Sequence, residues 1–198
     1  ISDSKLELVS REDLFLNITY DIDRQILEKS KLQPDLSGMG TTLTALSILD
    51  KNIELLHIGD SRCYRYRDKK LEQLSYDHTV MQELLDQGRL TPEEVFDHPQ
   101  RSLLTQALMG DSGLDPVLVS YEIKKGDKFL LCSDGLTNVL SNYEINKIIE
   151  ATEDSKIAAA LITEVLSKGA PDNITIIWSE VIQSDQDDLV KKLGSANE

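Results

Sequence analysis

The stretch Ile53-Glu54-Leu55-Leu56-His57-Ile58 sets the terms for the fold. Its apolar residues occupy both faces of a strand, Ile53 and Leu55 on one and Leu56 and Ile58 on the other. Such a strand needs cover on each side, which forces a layered architecture. Lys51-Asn52 ahead of it reads as a tight turn, and Thr41 to Leu49 as its antiparallel partner. Gly59-Asp60-Ser61 interrupts the pattern, and Cys63 to Arg67 resumes it with Tyr64 and Tyr66. After a turn at Asp68-Lys69-Lys70, Leu71 to Leu74 is a further short strand. Hairpin follows hairpin, so the sheets are antiparallel.

Helices surround this meander. From Arg11 to about Ser30, Leu14, Ile18, Ile22 and Ile26 recur at i+4, one face of an amphipathic helix that Pro34, Gly38 and Gly40 end. Thr79 to Gln87 reads as a helix stopped by Gly88. Thr91-Pro92-Glu93-Glu94 is a start signal, and Arg101 to Met109 reads as one more helix. Gly110 to Pro116 is a loop. Val117, Val119, Tyr121 and Ile123 alternate with Leu118, Ser120 and Glu122, a half-buried strand. Ser141 with Glu144 forms a capping box, and Ile157, Leu161 and Val165 line a helix that Gly169 ends. Asn173 to Val181 is the last strand. No regular βαβ alternation and no Gly-rich phosphate loop occurs. The class is therefore α+β, one domain over residues 1–182, with 183–198 a polar, acidic tail or linker. Residues 1–10 carry no clear pattern.

Composition narrows the partners. A net charge of −14 disfavours nucleic acid and anionic membranes, which call for a basic face. No apolar run nears the ~20 residues of a membrane span, and no signal peptide is evident, so a cytoplasmic location is the default expectation. Cys63 and Cys132 fall in strand-like runs and read as reduced core residues.

The chemistry is expected at three aspartates. Phe129-Leu130-Leu131-Cys132 is an apolar strand that ends in Ser133-Asp134-Gly135. A carboxylate at the mouth of a buried strand is costly unless paired, and no cationic residue stands beside it. Asp60 follows another strand, and Asp172 precedes the last one, which in an antiparallel neighbour is the same end of a sheet. Each alone is ordinary turn chemistry. Together, hard carboxylates without His or Cys beside them suit Mg²⁺ or Mn²⁺ and not zinc. His57 is expected to pack in its strand, His78 to lie in a loop and His98 at a helix end. Ser133 and Cys132 lack an adjacent base and a Gly-x-Ser-x-Gly elbow, which argues against covalent catalysis.

Four segments, in this order, resemble the type 2C metal-dependent Ser/Thr protein phosphatases: Gly38-Met39-Gly40-Thr41-Thr42, His57-Ile58-Gly59-Asp60-Ser61-Arg62, Leu131-Cys132-Ser133-Asp134-Gly135-Leu136 and Gly169-Ala170-Pro171-Asp172-Asn173-Ile174-Thr175. The likeness is to bacterial, actinobacterial-like members that oppose membrane Ser/Thr kinases, and runs from about Arg11 to Ile182. It implies an α-β-β-α sandwich of two antiparallel sheets flanked by helices. It implies two to three Mn²⁺ or Mg²⁺ ions in a complete enzyme, with Asp134 and Asp172 on the binuclear pair and Asp60 with Asp134 at a third, looser site. A metal-bridging hydroxide would hydrolyse phosphoserine and phosphothreonine in proteins, the partners being Ser/Thr kinases and their substrates and the enzyme a monomer. Residues about 77–116 would form a flap beside the site.

The likeness has a gap. The family's Asp-Gly-Met-Gly-Gly-His segment, its phosphate-binding Arg and the first strands have no counterpart here, so catalytic residues beyond the three aspartates are unassigned. The expectation is an N-terminally incomplete domain, a piece of a longer parent, with little turnover by itself. In similar receptor-like members a tail such as 183–198 leads to a membrane anchor. Two alternatives stand beside this reading: a catalytically dead pseudophosphatase or regulatory binding module, and an unrelated α+β domain whose Asp-Gly turns are only turns.

Overall fold

The computed structural model describes residues 11–49, 51–91, 94–95, 98, 100–110, 113–182 and 190–193. Among the described residues, eight strands form two antiparallel sheets. The three-stranded sheet joins β1 (Leu43–Leu49), β2 (Asn52–Ile58) and β5 (Val117–Glu122) in the order β1-β2-β5. The five-stranded sheet holds β3 (Arg62–Arg67), β4 (Lys70–Gln73), β6 (Lys128–Cys132), β7 (Ile176–Val181) and β8 (Val190–Leu193), ordered β4-β3-β6-β7-β8. β8 lies within the stretch that reads from sequence as a polar tail, so the strand expected over Asn173 to Val181, which begins only at Ile176, is not the last one. The rest of that tail, and residues 1–10, lie outside the described residues.

Both faces of β2 are buried from Ile53 to Ile58, as its two-sided apolar pattern requires. Ile53 and Leu55 face the other sheet and pack with Cys63, Phe129, Ile123 and Val181. Along β6 alternate residues divide between two cores. Phe129 enters the inter-sheet core, while Leu130 and Cys132 enter an outer core with Tyr64, Trp178 and the helices α4 (Asn142–Ala151) and α5 (Ile157–Ser167). Cys63 and Cys132 therefore sit on opposite faces of one sheet, and both are free thiols, as expected.

The capping box at Ser141 forms as read. Ser141 Oγ accepts from the Glu144 amide, and Glu144 Oε2 accepts from the Ser141 amide at 2.8 Å. Thr91 and Glu94 make the same reciprocal pair, although Pro92 and Glu93 between them lie outside the described residues.

Two further readings need correction. Helix α1 (Arg11–Leu32) is present, but Leu14 and Ile18 are 52% and 47% exposed, and the buried positions are Thr19 and Asp23. The helix is turned by one residue, about 100°, because Asp23 Oδ1 accepts the amides of Met109 and Gly110 at 2.8 and 2.7 Å. The second is Arg101 to Met109, which is irregular, with turns, bends and two isolated bridges, and not helical. Its backbone is spent on other segments: Leu108 exchanges both bonds with Thr41, Thr105 donates to His78, and the Leu103 carbonyl accepts from Val80. Tertiary bonding overrides a helical pattern when each amide finds a partner elsewhere.

Asp127 ties the turn before β6 to β3. Arg67 donates to both its oxygens, at 2.6 and 2.5 Å, and the Lys124 amide adds a third bond at 2.7 Å. Burial would raise its pKa, but these bonds win and hold it below the usual carboxylate value. Its ionised form thus stabilises the fold above the unfolded value near 4, and that contribution is lost as pH falls through the lower folded value. Asp127→Ala is expected to cost about 3 kcal/mol in urea unfolding at pH 7, with a smaller difference at pH 3.

Candidate metal-binding site

Asp134 opens a single-turn helix, α3 (Asp134–Thr137), directly after β6. It is half-buried, with Asn138 Nδ2 donating to Oδ2 at 2.9 Å. The residue before it stitches two distant loops together. Ser133 Oγ donates to the Asn173 carbonyl at 3.2 Å and accepts from the Thr175 amide at 3.0 Å, and the Ser133 amide donates to the Thr175 carbonyl at 3.1 Å. Gly135 completes the junction, because a Cβ there would lie 2.2 Å from the Asn173 carbonyl oxygen. Ser133 is thus a structural link with its hydroxyl fully engaged. Burial pushes the Cys132 thiol up to about 12, so neither residue is an activated nucleophile.

Asp172 lies in the loop so joined. It is exposed, and its Oδ1 accepts from the Asn173 amide at 2.7 Å. Asp60 sits in the bend after β2. Gly59 before it has φ +102°, and a Cβ there would fall 2.3 Å from Thr42 Cγ2. Thr42 Oγ1 meets Ser61 Oγ at 2.8 Å, and Thr44 Oγ1 donates to the Ser61 carbonyl at 2.7 Å. The Gly-Met-Gly-Thr-Thr and Gly-Asp-Ser segments therefore form one packed unit with Asp60 at its tip.

The three carboxylates form a chain. Burial, then Asp134, then Asp77 raise the Asp60 pKa to about 6. Burial, then Asp172, raise that of Asp134. Asp134 therefore stands between the other two and repels both. Arg62, two residues beyond Asp60, only partly offsets this, because its Nε and Nη2 are committed to Asp77 at 2.6–3.0 Å. Among the described residues, no three acidic, His or Cys side chains converge closely enough to hold an ion by themselves. The donor set is carboxylate oxygen, which suits a hard divalent ion that keeps several waters.

A cavity of about 440 Å³ opens from the site. Asp60, Asp134 and Asn138 are on its wall, with Met81 and Leu85 of α2 (Val80–Asp86) and Tyr143 of α4 opposite; Asp172 lies outside it. The sequence reading missed Asp77 and Arg62, and placed His78 only as a loop residue. The available signal was an Asp-His pair immediately before the Thr79 N-cap, facing an Arg two residues past Asp60. His57 is wholly buried in β2, as expected, and His98 Nδ1 accepts from the Gln100 amide.

Residues 2–167 match the profile of the Protein phosphatase 2C family. The chain is 44% identical over 160 residues to the serine/threonine protein phosphatase PstP of Mycobacterium tuberculosis, which covers 81% of this chain and 31% of that protein. It is 34% identical over 186 residues to protein phosphatase PhpP of Streptococcus pneumoniae, covering 92% of this chain and 75% of that one. The crystal structure of the M. tuberculosis PstP phosphatase superimposes with a TM-score of 0.77 at 42% identity, over 81% of this chain and 68% of that one. A PstP catalytic domain in complex with two manganese ions has a TM-score of 0.77 at 36% identity, over 92% and 75% of the respective chains. The chain thus spans about a third of its mycobacterial relative.

Proposed function

The chain belongs to the protein phosphatase 2C family, and from that premise we propose that it carries part of a metal-dependent site that hydrolyses phosphoserine and phosphothreonine in proteins. The observation that supports this is the carboxylate chain beside the cavity, where Asp134 is flanked by Asp60 and Asp172 and the nearby Arg62 is itself paired with Asp77. Mn²⁺ or Mg²⁺ supplies an activated water and charge neutralisation at the phosphoryl group when bound. Asp134 and Asp172 would hold one ion and Asp60 with Asp134 a second, looser one. Asn138 fixes the rotamer of Asp134, and Ser133 with Gly135 sets the spacing of the Asp134 and Asp172 loops. Neither Ser133 nor Cys132 beside Asp134 is poised to form a phosphoenzyme, and direct attack by water is the consistent route.

Phosphoproteins, including Ser/Thr kinases and their targets, are the proposed substrates. Among the described residues no helix is long and apolar enough to cross a membrane. The test is hydrolysis of p-nitrophenyl phosphate and of a phosphothreonine peptide in Mn²⁺. Residues 1–198 alone are expected to turn over little. A fusion that places the family's Asp-Gly-Met-Gly-Gly-His segment and first strands ahead of Ile1 is expected to be active and to lose activity in EDTA. A fusion that folds, binds Mn²⁺ and hydrolyses neither substrate would favour a binding module instead.

A further inference from the structure

Asp60 is held from two sides. Thr42 presses on Gly59 from one, as described above. On the other, the His78 amide donates to the Gly59 carbonyl at 2.8 Å, and the Gly59 amide donates to His78 Nδ1 at 3.2 Å. One residue thus closes a two-bond ring on the glycine that precedes Asp60. The neighbouring pair Arg62–Asp77 joins the same two segments, three residues past Gly59 and one before His78. His78 is itself fixed. It is 7% exposed, its carbonyl accepts from Thr105 at 2.9 Å, and its ring lies 5.0 Å from that of His57. Burial lowers its pKa, so the ring is neutral and Nδ1 is free to accept.

We infer that His78 is the positioning residue for the Asp60 carboxylate: its ring and backbone clamp Gly59 and aim the following side chain at a cation. This rests on the metal-site reading of Asp60 given above. Outer groups hydrogen-bonded to a ligand itself typically change metal affinity by about 10–100-fold, and His78, acting one residue away through the backbone, is expected at the low end. The buried Gly59 amide has positive φ and lies beyond the end of β2, so without His78 it loses its acceptor.

The experiment uses the 198-residue chain with Mn²⁺ alone as probe. Mn²⁺ binding is followed by electron paramagnetic resonance, and exchange of the Gly59 amide by nuclear magnetic resonance. His78→Asn keeps an acceptor at the Nδ1 position and should bind Mn²⁺ like the parent. His78→Gln moves the acceptor outward, and His78→Leu removes it. Both should weaken the Asp60-dependent ion about 10-fold and speed Gly59 exchange, and adding His78→Leu to Asp60→Asn should cost nothing further. Equal affinities for the Asn and Gln variants, unchanged Gly59 exchange, or full additivity with Asp60→Asn would each overturn the inference. Mn²⁺ binding by the parent that is indifferent to Asp60→Asn would instead overturn the metal-site reading, while the exchange arm still reports on the clamp.

Discussion

Asp134→Asn is expected to push stability and metal affinity in opposite directions. In EDTA the variant should be more stable than the parent, by on the order of 1 kcal/mol. The substitution removes a half-buried charge that repels both Asp60 and Asp172, and the amide oxygen can still accept from Asn138. In Mn²⁺ the order reverses. Loss of the one carboxylate shared by both proposed ions should weaken binding at least about 100-fold, beyond what loss of a merely orienting group costs. At a Mn²⁺ concentration near 100 times the dissociation constant, the parent gains about 2.7 kcal/mol, and the variant gains little. Urea titrations with and without Mn²⁺ read both effects. A variant that is less stable in EDTA, or that keeps the parent's response to Mn²⁺, would show that Asp134 is an ordinary turn residue.

Gly135→Ala should be strongly damaging for a single added methyl. The added Cβ meets the Asn173 carbonyl oxygen at 2.2 Å and its carbon at 3.0 Å. Both are backbone atoms and cannot swing aside. Relief requires the 133–135 and 172–175 loops to separate, which breaks the bonds between Ser133 and Thr175. Overpacking of this kind costs about 3 kcal/mol, or roughly 6–12 °C in midpoint for a chain of this size. The same movement parts Asp134 from Asp172, so the Mn²⁺ response should fall with it. Gly126, by contrast, has nothing within 4 Å of a Cβ, so its Ala variant isolates the strain of a positive φ from steric conflict. A Gly135→Ala protein that melts within about 1 °C of the parent would disprove the close approach.

The two predictions turn on features of different legibility. Asp134 stands out in the sequence because an apolar strand runs straight into it. Asp60 and Asp172 stand out because each adjoins a strand beside Gly or Asn. The two-faced burial of β2 and the capping box at Ser141 and Glu144 were equally readable, since both depend on residues a few positions apart. The inward face of α1 was not. Its i+4 stripe favoured Leu14 and Ile18, but Asp23 turns inward to receive amides 86 and 87 residues away. The 101–109 stretch was misread for the same reason, with its backbone bonded to Thr41 and His78. His78 looked dull because its role is to hold a glycine 19 positions earlier.

What the sequence by itself determined is local: strands with period two, helix starts, an antiparallel layered class, and three carboxylates beside strand ends. Only the tertiary structure decided which of them meet. It brings Asp134 to Asp172 through a missing Cβ and a serine hydroxyl acting across 40 residues, and it sets Asp60 between Thr42 and His78. Those contacts arise from packing between segments that carry no periodic relation to one another. Periodicity reports the face a residue presents, while packing alone selects the residue it faces.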